Sequence, residues 1–509
     1  MNAIPRMAKA IPRMACASSG ESITWPSIDW ADCDRNVRKL QARIVKAVRG
    51  GRWGKVKALQ WLLTHSMSGK ALAVKRVTEN KGKRTPGVDG EIWTTPTAKT
   101  RAMMLSLKRR GYKPQALRRV YIPKSNGKLR PLGIPTMKDR AMQALHLLAL
   151  DPVSETTADG NSYGFRKGRA TRDAREMCFA LLSRHASAKW VLEADIKGCF
   201  DNISHDWMLR HIPMDKMVLR KWLQSGFVDK AQWFPTEAGT PQGGIASPTL
   251  ANMVLDGLES RLARKFKLRQ GKTPFNPKVH LVRYADDFVI TGATEETLEQ
   301  VREEVAAFLA ERGLNFSPEK TKIVHVSEGF DFLGFNIRMY DGKLLIKPSK
   351  DAQLRIFQKV SGIVREMRTA EQRNLILKLN PIIKGWTEYY RHSVASHAFA
   401  KLDNSLWGTL WQWAKRRHPN KDRRWIAKRY FQSIGSRNWV FAVKNGEDLR
   451  RMGKWLKLGK AQDTKIRRHI KIRTDANPYD PMWRCYFESR KRSMPGPERA
   501  LERLEPNAG

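Results

Sequence analysis

The sequence predicts an α+β chain: a split β-α-β sheet, then a half dominated by helices and rich in cations. Two stretches predict the sheet. WVLEADI (190–196) is an apolar strand ending in charge, and LVRYADDFVI (281–290) is two apolar arms around a charged turn, the pattern of a hairpin. ETLEQVREEVAAFLAERG (296–313) follows as an amphipathic helix stopped by Gly313, and LNFSPEKTKIV (314–324) as a further strand. Strand, helices, hairpin, helix, strand is the split order. The third observation is a change of character near residue 350. Helical patterns then dominate, Trp is dense (Trp386, Trp407, Trp411, Trp413, Trp425, Trp439, Trp455, Trp483), and residues 411–475 carry 20 Lys/Arg against 5 Asp/Glu.

The remaining elements follow in order. The N-terminus repeats AIPRMA and has no apolar run long enough for a signal peptide, so residues 1–35 are expected to be disordered. Residues 36–80 read as basic helices, and KRTPGVDGE (83–91) is a Gly/Pro turn that ends their periodicity. A short helix and the strand RRVYI fill 101–122. PKSNG (123–127) is a tight turn, and KLRPLGIP resumes an extended path. SPTLANMVLDGLESRL (247–262) reads as one helix, with Ser at its start, Pro at the first turn, and Leu250, Val254, Leu258 and Leu262 at helical spacing.

Composition limits the function. The formal charge is +46, from 95 Lys/Arg and 49 Asp/Glu among 509 residues. Such self-repulsion is relieved by a polyanion, and nucleic acid binds with counterion release. No run approaches the ~18 apolar residues of a membrane span. The five cysteines form no C-x2-C pair, which argues against a zinc ribbon or a disulfide framework and fits a reducing cytoplasm.

Asp195 ends an apolar strand, and Asp286 and Asp287 occupy a hairpin turn. If those strands are neighbours, three carboxylates meet at one sheet edge. Phosphoryl transfer from a nucleoside triphosphate uses two cations about 4 Å apart, and Mg2+ prefers such oxygen ligands. Taken alone, an Asp pair in a turn is equally good turn chemistry.

The surrounding blocks resemble the reverse transcriptases encoded by group II introns. Tyr284-Ala285-Asp286-Asp287 is similar to the family's polymerase box, and EADIKGCFDNISH (193–205) to its first catalytic block. AGTPQGGIASPTLANMVLD (238–256) resembles the nucleotide and template block, and RRVYIPKSNGKLRPLGIPTMKDRAMQ (118–143) the fingers block. FSPEKTKIV and FDFLGF resemble the last palm block and the primer grip, KRTPGVDG the N-terminal extension, and IIKGWTEYYR (382–391) the maturase region. The likeness runs from about residue 36 to 485.

The resemblance implies a right-hand polymerase: fingers and a palm with a ferredoxin-like split β-α-β sheet, an α-helical thumb/maturase domain, and a basic DNA-binding domain. It divides the chain at 36–100 (N-terminal extension and start of fingers), 101–345 (fingers and palm), 346–435 (thumb/maturase), 436–490 (DNA-binding) and 491–509 (loose tail). Asp195, Asp286 and Asp287, with the Ile196 carbonyl, would hold two Mg2+ ions. Lys124 and Arg130 would clamp the triphosphate, Arg by bidentate contact. Phe200 would pack under the sugar and exclude a 2′ hydroxyl. Gln242 would bond near the nucleotide or template, with Gly243 and Gly244 permitting close approach. Lys320 would protonate the leaving pyrophosphate or hold it electrostatically. Asp201 and Asn202 read as structural, and His205 as packed.

In the C-terminal half, Trp407 and Trp411 at i, i+4 spacing are expected to fill a helical core. Lys415, Arg416, Arg417, Arg423 and Arg424 are expected to meet nucleic acid. No His lies beyond His469 and only Cys485 lies there, so no endonuclease of the paired Cys/His type is expected. A primer from nascent strands at replication forks would substitute for a nicked second strand. The implied function is an RNA-directed DNA polymerase that binds its intron RNA as a maturase and copies it during retrohoming by target-primed reverse transcription. Its partners would be the intron RNA, target DNA and deoxynucleoside triphosphates, with no membrane. The alternatives are a splicing cofactor with little polymerase activity, or a domesticated relative in DNA repair or defence.

Overall fold

The computed structural model describes residues 24–123, 127, 129–267, 275–444 and 455–493. Among them the chain begins with a 3-10 turn, Trp25–Ser27, and the helices Trp30–Arg49, Trp53–His65 and Met67–Glu79. The first is capped by Asp29, whose carboxylate accepts from the N–H groups of Ala31 and Asp32. That helix starts inside the segment expected to be disordered. Its buried stripe of Val37, Ile44, Val45 and Val48 packs on the long helix Met137–Thr157.

Strands β1 (Leu117–Pro123) and β2 (Leu129–Ile134) form an antiparallel pair. β3 (Trp190–Ala194) is followed by β4 (Phe227–Asp229) and β5 (Gln232–Phe234), then by β6 (His280–Tyr284), β7 (Asp287–Gly292) and β8 (Lys322–His325). One sheet has the order β2-β1-β4-β5 and the other β6-β7-β3-β8. Every pairing in the second sheet is antiparallel. Numbering its strands along the chain gives 4-1-3-2, the ferredoxin-like order of a split β-α-β unit.

The period-two alternation of side chains divides this sheet between two cores. Leu192, Ala194, Leu281, Phe288 and Ile290 face the helices Ser247–Leu255 and Glu295–Ala310, with Leu250, Leu298, Val301 and Val305. Val191, Val282 and Val289 face the other way, toward Tyr163, Cys178, Phe330 and Phe332. Full burial of each such side chain is worth ~1.5–3 kcal/mol over exposure, so a one-residue register slip would invert both faces at once.

Two elements depart from expectation. The single helix over 247–262 is two helices, Ser247–Leu255 and Leu258–Lys265, broken at Asp256 and Gly257. Gly257 takes φ +95°, which a helix interior cannot hold, yet Leu250, Val254, Leu258 and Leu262 are all buried as their spacing implies. The strand over 314–324 is interrupted. Phe316 bridges Ile196, the 3-10 turn Pro318–Lys320 follows, and only then does β8 begin. Pro318 supplies no N–H to a ladder, which accounts for the interruption.

Strands β9 (Phe330–Phe332), β10 (Phe335–Tyr340) and β11 (Lys343–Pro348) make a small sheet ahead of the helices Lys350–Glu366, Gln372–Tyr390, Ser396–Arg417 and Arg423–Tyr430. A fourth sheet was not anticipated: β12 (Phe431–Ile434), β13 (Arg437–Lys444) and β14 (Trp455–Lys457). Its signal was present in FQSIGSRNWVFAV, two aromatic and β-branched arms about Gly435 at φ +61°. The segment from Lys465 then returns to the helix Thr171–Leu182. There the His469 ring, the Ile472 N–H and the Arg490 guanidinium converge on buried Asp173.

Candidate active site

Strand register brings the carboxylates together. Ala194 pairs with Phe288, and one step further the same register sets Asp195 beside Asp287. Both residues have the parity of Val191 and Val289, so their side chains share a face. The two carboxyls lie close enough for Asp195 to raise the Asp287 carboxyl. Asp286 is the second residue of the two-residue turn closed by the Tyr284–Asp287 pair.

The electrostatics follow from this crowding. Asp287 opens to solvent on one side, yet the surrounding protein, then Asp286 and Asp195, push its carboxyl up to about 7. Burial and Asp195 also raise Asp286, while Arg130 and Lys320 pull it down. The Lys320 ammonium donates to Asp195 Oδ2 at 2.6 Å, a bond that raises the lysine pKa. The 3-10 turn is tied in place by the Ser317 N–H, which donates to the Asp195 carbonyl at 2.8 Å.

A cluster of mutually repelling carboxylates suits a hard divalent cation. The bridge between Ile196 and Phe316 is closed by Lys197 N–H to Asn315 O and Ser317 N–H to Asp195 O, so the Ile196 carbonyl is not used in it. Among the described residues no three His, Cys, Asp or Glu side chains form a metal cage by themselves. Mg2+ takes the rest of its shell from water and substrate phosphates, so an incomplete protein shell fits that ion.

The hairpin turn is braced from behind by groups that sequence reasoning missed. Ala285 holds φ +58°, unfavourable for a residue with a side chain. Arg283, 0% exposed, is paired with Phe288, so it lies on the face opposite Asp287 and points toward the helix Ser247–Leu255. Its guanidinium ion-pairs with Asp256 and donates to Asn252 Oδ1 at 3.2 Å and to the Ala285 carbonyl at 3.3 Å. Burial pushes the Asp256 carboxyl up and the guanidinium pulls it back. Residues 161–164 run alongside β6: the Tyr163 N–H donates to Arg283 O, and the Arg283 N–H to Asn161 O. Gly164 lies so close to the turn that a Cβ there would come within 2.3 Å of the Ala285 nitrogen. An arginine inside an apolar strand was the available signal, because a buried charge requires a partner.

A pocket of about 380 Å³ is lined by Phe200, Asp201 and Gln242 together with Leu117 and Gly133 of the other sheet; none of the three aspartates lines it. The Phe200 ring sits edge-on to Phe165 at 6.3 Å and is partly buried. Gln242 donates to Asp201 at 3.3 Å, and its carbonyl accepts from Gly133 N–H at 2.7 Å. Gly243, at φ +111°, has no room for a Cβ against Gly133 O, so close approach is built into the loop. Arg130 is exposed on β2, within electrostatic reach of Asp286. Lys124 lies outside the described residues. Asn202 donates to Lys197 O, and His205 packs against Gly239 O, both structural contacts.

The C-terminal cations divide. Lys415, Arg416, Arg423 and Arg424 are exposed. Arg417 instead donates to the carbonyls of Arg368 and Ala370 at 2.7 and 2.9 Å, tying the end of its helix to the loop that follows the helix Lys350–Glu366. Trp413 is buried as a core residue, but Trp407 is 43% exposed, against expectation.

Three family models match: "Reverse transcriptase (RNA-dependent DNA polymerase)" over residues 122–337, "N-terminal domain of reverse transcriptase" over 25–105, and "Group II intron, maturase-specific domain" over 353–431. The protein YkfC of Escherichia coli is 33% identical over 331 residues, 58% of this chain and 84% of that protein. The group II intron-encoded protein LtrA of Lactococcus lactis is 30% identical over 53% of this chain, and the match spans about half (54%) of LtrA. No helix among the described residues is long and apolar enough to cross a membrane. With the aspartates, the braced turn and these three matches in chain order, the chain belongs to the group II intron-encoded reverse transcriptase/maturase family.

Proposed function

We propose that this chain is an active RNA-directed DNA polymerase that also binds its intron RNA as a maturase, and that copies this RNA during retrohoming by target-primed synthesis. The observation that carries the reading is the pairing of Asp195 with Asp287 on one sheet face, next to Asp286. In this reading the β6-β7-β3-β8 sheet is the palm, the β2-β1-β4-β5 sheet belongs to the fingers, and the helices from Lys350 onward form the thumb.

Asp195, Asp286, Asp287 and the Ile196 carbonyl would hold two Mg2+ ions. Bound there, these ions lower the pKa of the attacking 3′ hydroxyl and stabilise charge on the leaving oxygens. Arg130 and Lys124 orient the triphosphate. Lys320 sits within reach of the same carboxylates and holds positive charge where pyrophosphate departs. Phe200, in the pocket wall, excludes the 2′ hydroxyl of a ribonucleotide, while Gln242 and the glycine loop contact nucleotide or template. Lys415, Arg416, Arg423 and Arg424 supply phosphate contacts to intron RNA or target DNA.

Primer extension on poly(rA) with oligo(dT), with and without Asp286→Ala, tests the reading. Incorporation by the unaltered protein that disappears in the variant is expected. Equal incorporation by both, or none by either, would leave an RNA-binding splicing cofactor as the better account.

A further inference from the structure

Outside the polymerase site, a second pocket of about 600 Å³ opens between the helix Arg423–Tyr430, the helix Ser396–Arg417 and the sheet beginning at β12. Its wall combines Trp411, Phe431 and Trp439 with Arg423, Arg424 and Lys428, and no carboxylate lines it among the described residues. The indoles of Trp407 and Trp411 lie parallel, 6° apart in plane and 5.8 Å between centroids. Trp439 stands edge-on to both, at 6.2 and 6.0 Å.

Two features distinguish this cluster from ordinary core packing. Trp407 and Trp439 are 43% and 52% exposed, so large apolar rings face solvent beside a ring of cations. Trp439 also holds φ +59°, a conformation costly for a bulky residue, next to an irregularity in the β12–β13 register. Such strain persists only where surrounding structure enforces it, and it concentrates at ligand sites. Here it turns the indole onto the tryptophan pair instead of letting it alternate out of the strand.

We infer that this pocket binds an unpaired nucleobase of single-stranded RNA, with the base stacked on Trp439 or Trp411 and its flanking phosphates on Arg423, Arg424 and Lys428. Aromatic faces accept any base, cations meet the backbone, and the volume is that of a small-ligand site. A protein ligand of acidic character would use the cations but has no need of exposed indole faces. The inference rests on the RNA-binding part of the proposed function, not on polymerisation.

The test uses the full chain and 5-iodouridine-substituted single-stranded RNA 12-mers. Irradiation is expected to cross-link the peptides that contain Trp411 or Trp439. Trp439→Ala is expected to weaken single-strand binding about 5- to 150-fold while Trp439→Phe retains most of it. Arg424→Gln with Lys428→Gln is expected to flatten the salt dependence by about one to two units of slope. Fully paired RNA should be insensitive to Trp439→Ala. Cross-links confined to other peptides, wild-type affinity in Trp439→Ala, or an equal loss for paired RNA would each overturn the assignment. Because cross-linking is read on the unaltered protein, it does not depend on any variant folding. A protein that cross-links here but extends no primer would sink the polymerase reading and leave this one standing.

Discussion

The buried pair behind the hairpin turn gives the sharpest test of how the fold positions the site. Arg283→Met removes a guanidinium that is 0% exposed and strands Asp256, whose side chain is 7% exposed. Losing one member of a buried ion pair costs about 3–5 kcal/mol, a large share of the ~5–15 kcal/mol that holds a domain folded. Asp256→Asn keeps an acceptor opposite the guanidinium and should cost less, about 1.5–3 kcal/mol for a charged hydrogen bond. The double variant Arg283→Met with Asp256→Leu removes both charges together, so most of the stability should return. The Ala285 carbonyl, however, still loses its donor in the double variant, and the strained turn that carries Asp286 is left unbraced. A displacement of about 1 Å at reacting groups can cost ~100-fold in rate. The expectation is therefore a divergence: melting temperature restored, primer extension still down by about that factor, and a higher Mg2+ concentration needed for half-maximal rate. Melting curves and steady-state extension on poly(rA)/oligo(dT) measure the two sides. A double variant that is folded and extends primer at the wild-type rate and Mg2+ requirement would refute the brace. A single Arg283→Met variant that melts with the wild type would refute the burial of the pair.

Three further outcomes are expected. Gly164→Ala drives a Cβ into the Ala285 backbone nitrogen, so kcat should fall by about 100-fold while RNA affinity, measured by filter binding, is unchanged; an active variant would show that the turn need not stay where it is. Asp287, raised to about 7, carries its proton more readily folded than unfolded. Its stabilising contribution is therefore full below the unfolded pKa near 4 and is lost as pH rises through 7. Metal-free protein should lose melting temperature from pH 5 to 8, and the gain on adding Mg2+ should be larger at pH 8 than at pH 6; a pH-independent gain would remove the carboxylate crowding from the account. Phe200→Ala should raise ribonucleotide use relative to deoxynucleotide by about 10- to 100-fold in competitive extension, since an apolar wall rejects an added hydroxyl by about that much. Unchanged discrimination would mean that another group excludes the 2′ hydroxyl.

Which parts of this site could be read from the chain depends on whether the information is local. Alternation in WVLEADI and LVRYADDFVI assigns each residue to a face, and the register then puts Asp195 and Asp287 on the same one. Periodicity reports a residue's own orientation, but not what arrives from a distant segment to meet it. That is why Arg283 went unread. Its partners Asp256 and Asn252 sit at the end of a helix that looked continuous, and the extended segment at 161–164 carries no pattern of its own. Asn252 and Asp256, four residues apart, meet the guanidinium from one side of that helix, which ends at Asp256 where Gly257 takes φ +95°. Trp407 was misassigned, and the partners of Arg417 went unread, for a related reason. Helical spacing treats Trp407 and Trp411 as one buried stripe, yet Trp407 is exposed and both rings stand edge-on to Trp439, a residue distant in sequence. A cation in a basic run reads as a nucleic-acid contact until its neighbours are known, and Arg417 turns out to satisfy two carbonyls of a preceding loop. The local code of the strands thus delivers the carboxylates to one place, while contacts between distant segments hold the turn at the φ its chemistry requires. The Arg283 double variant separates these two contributions, because it restores the packing and leaves the turn without its donor.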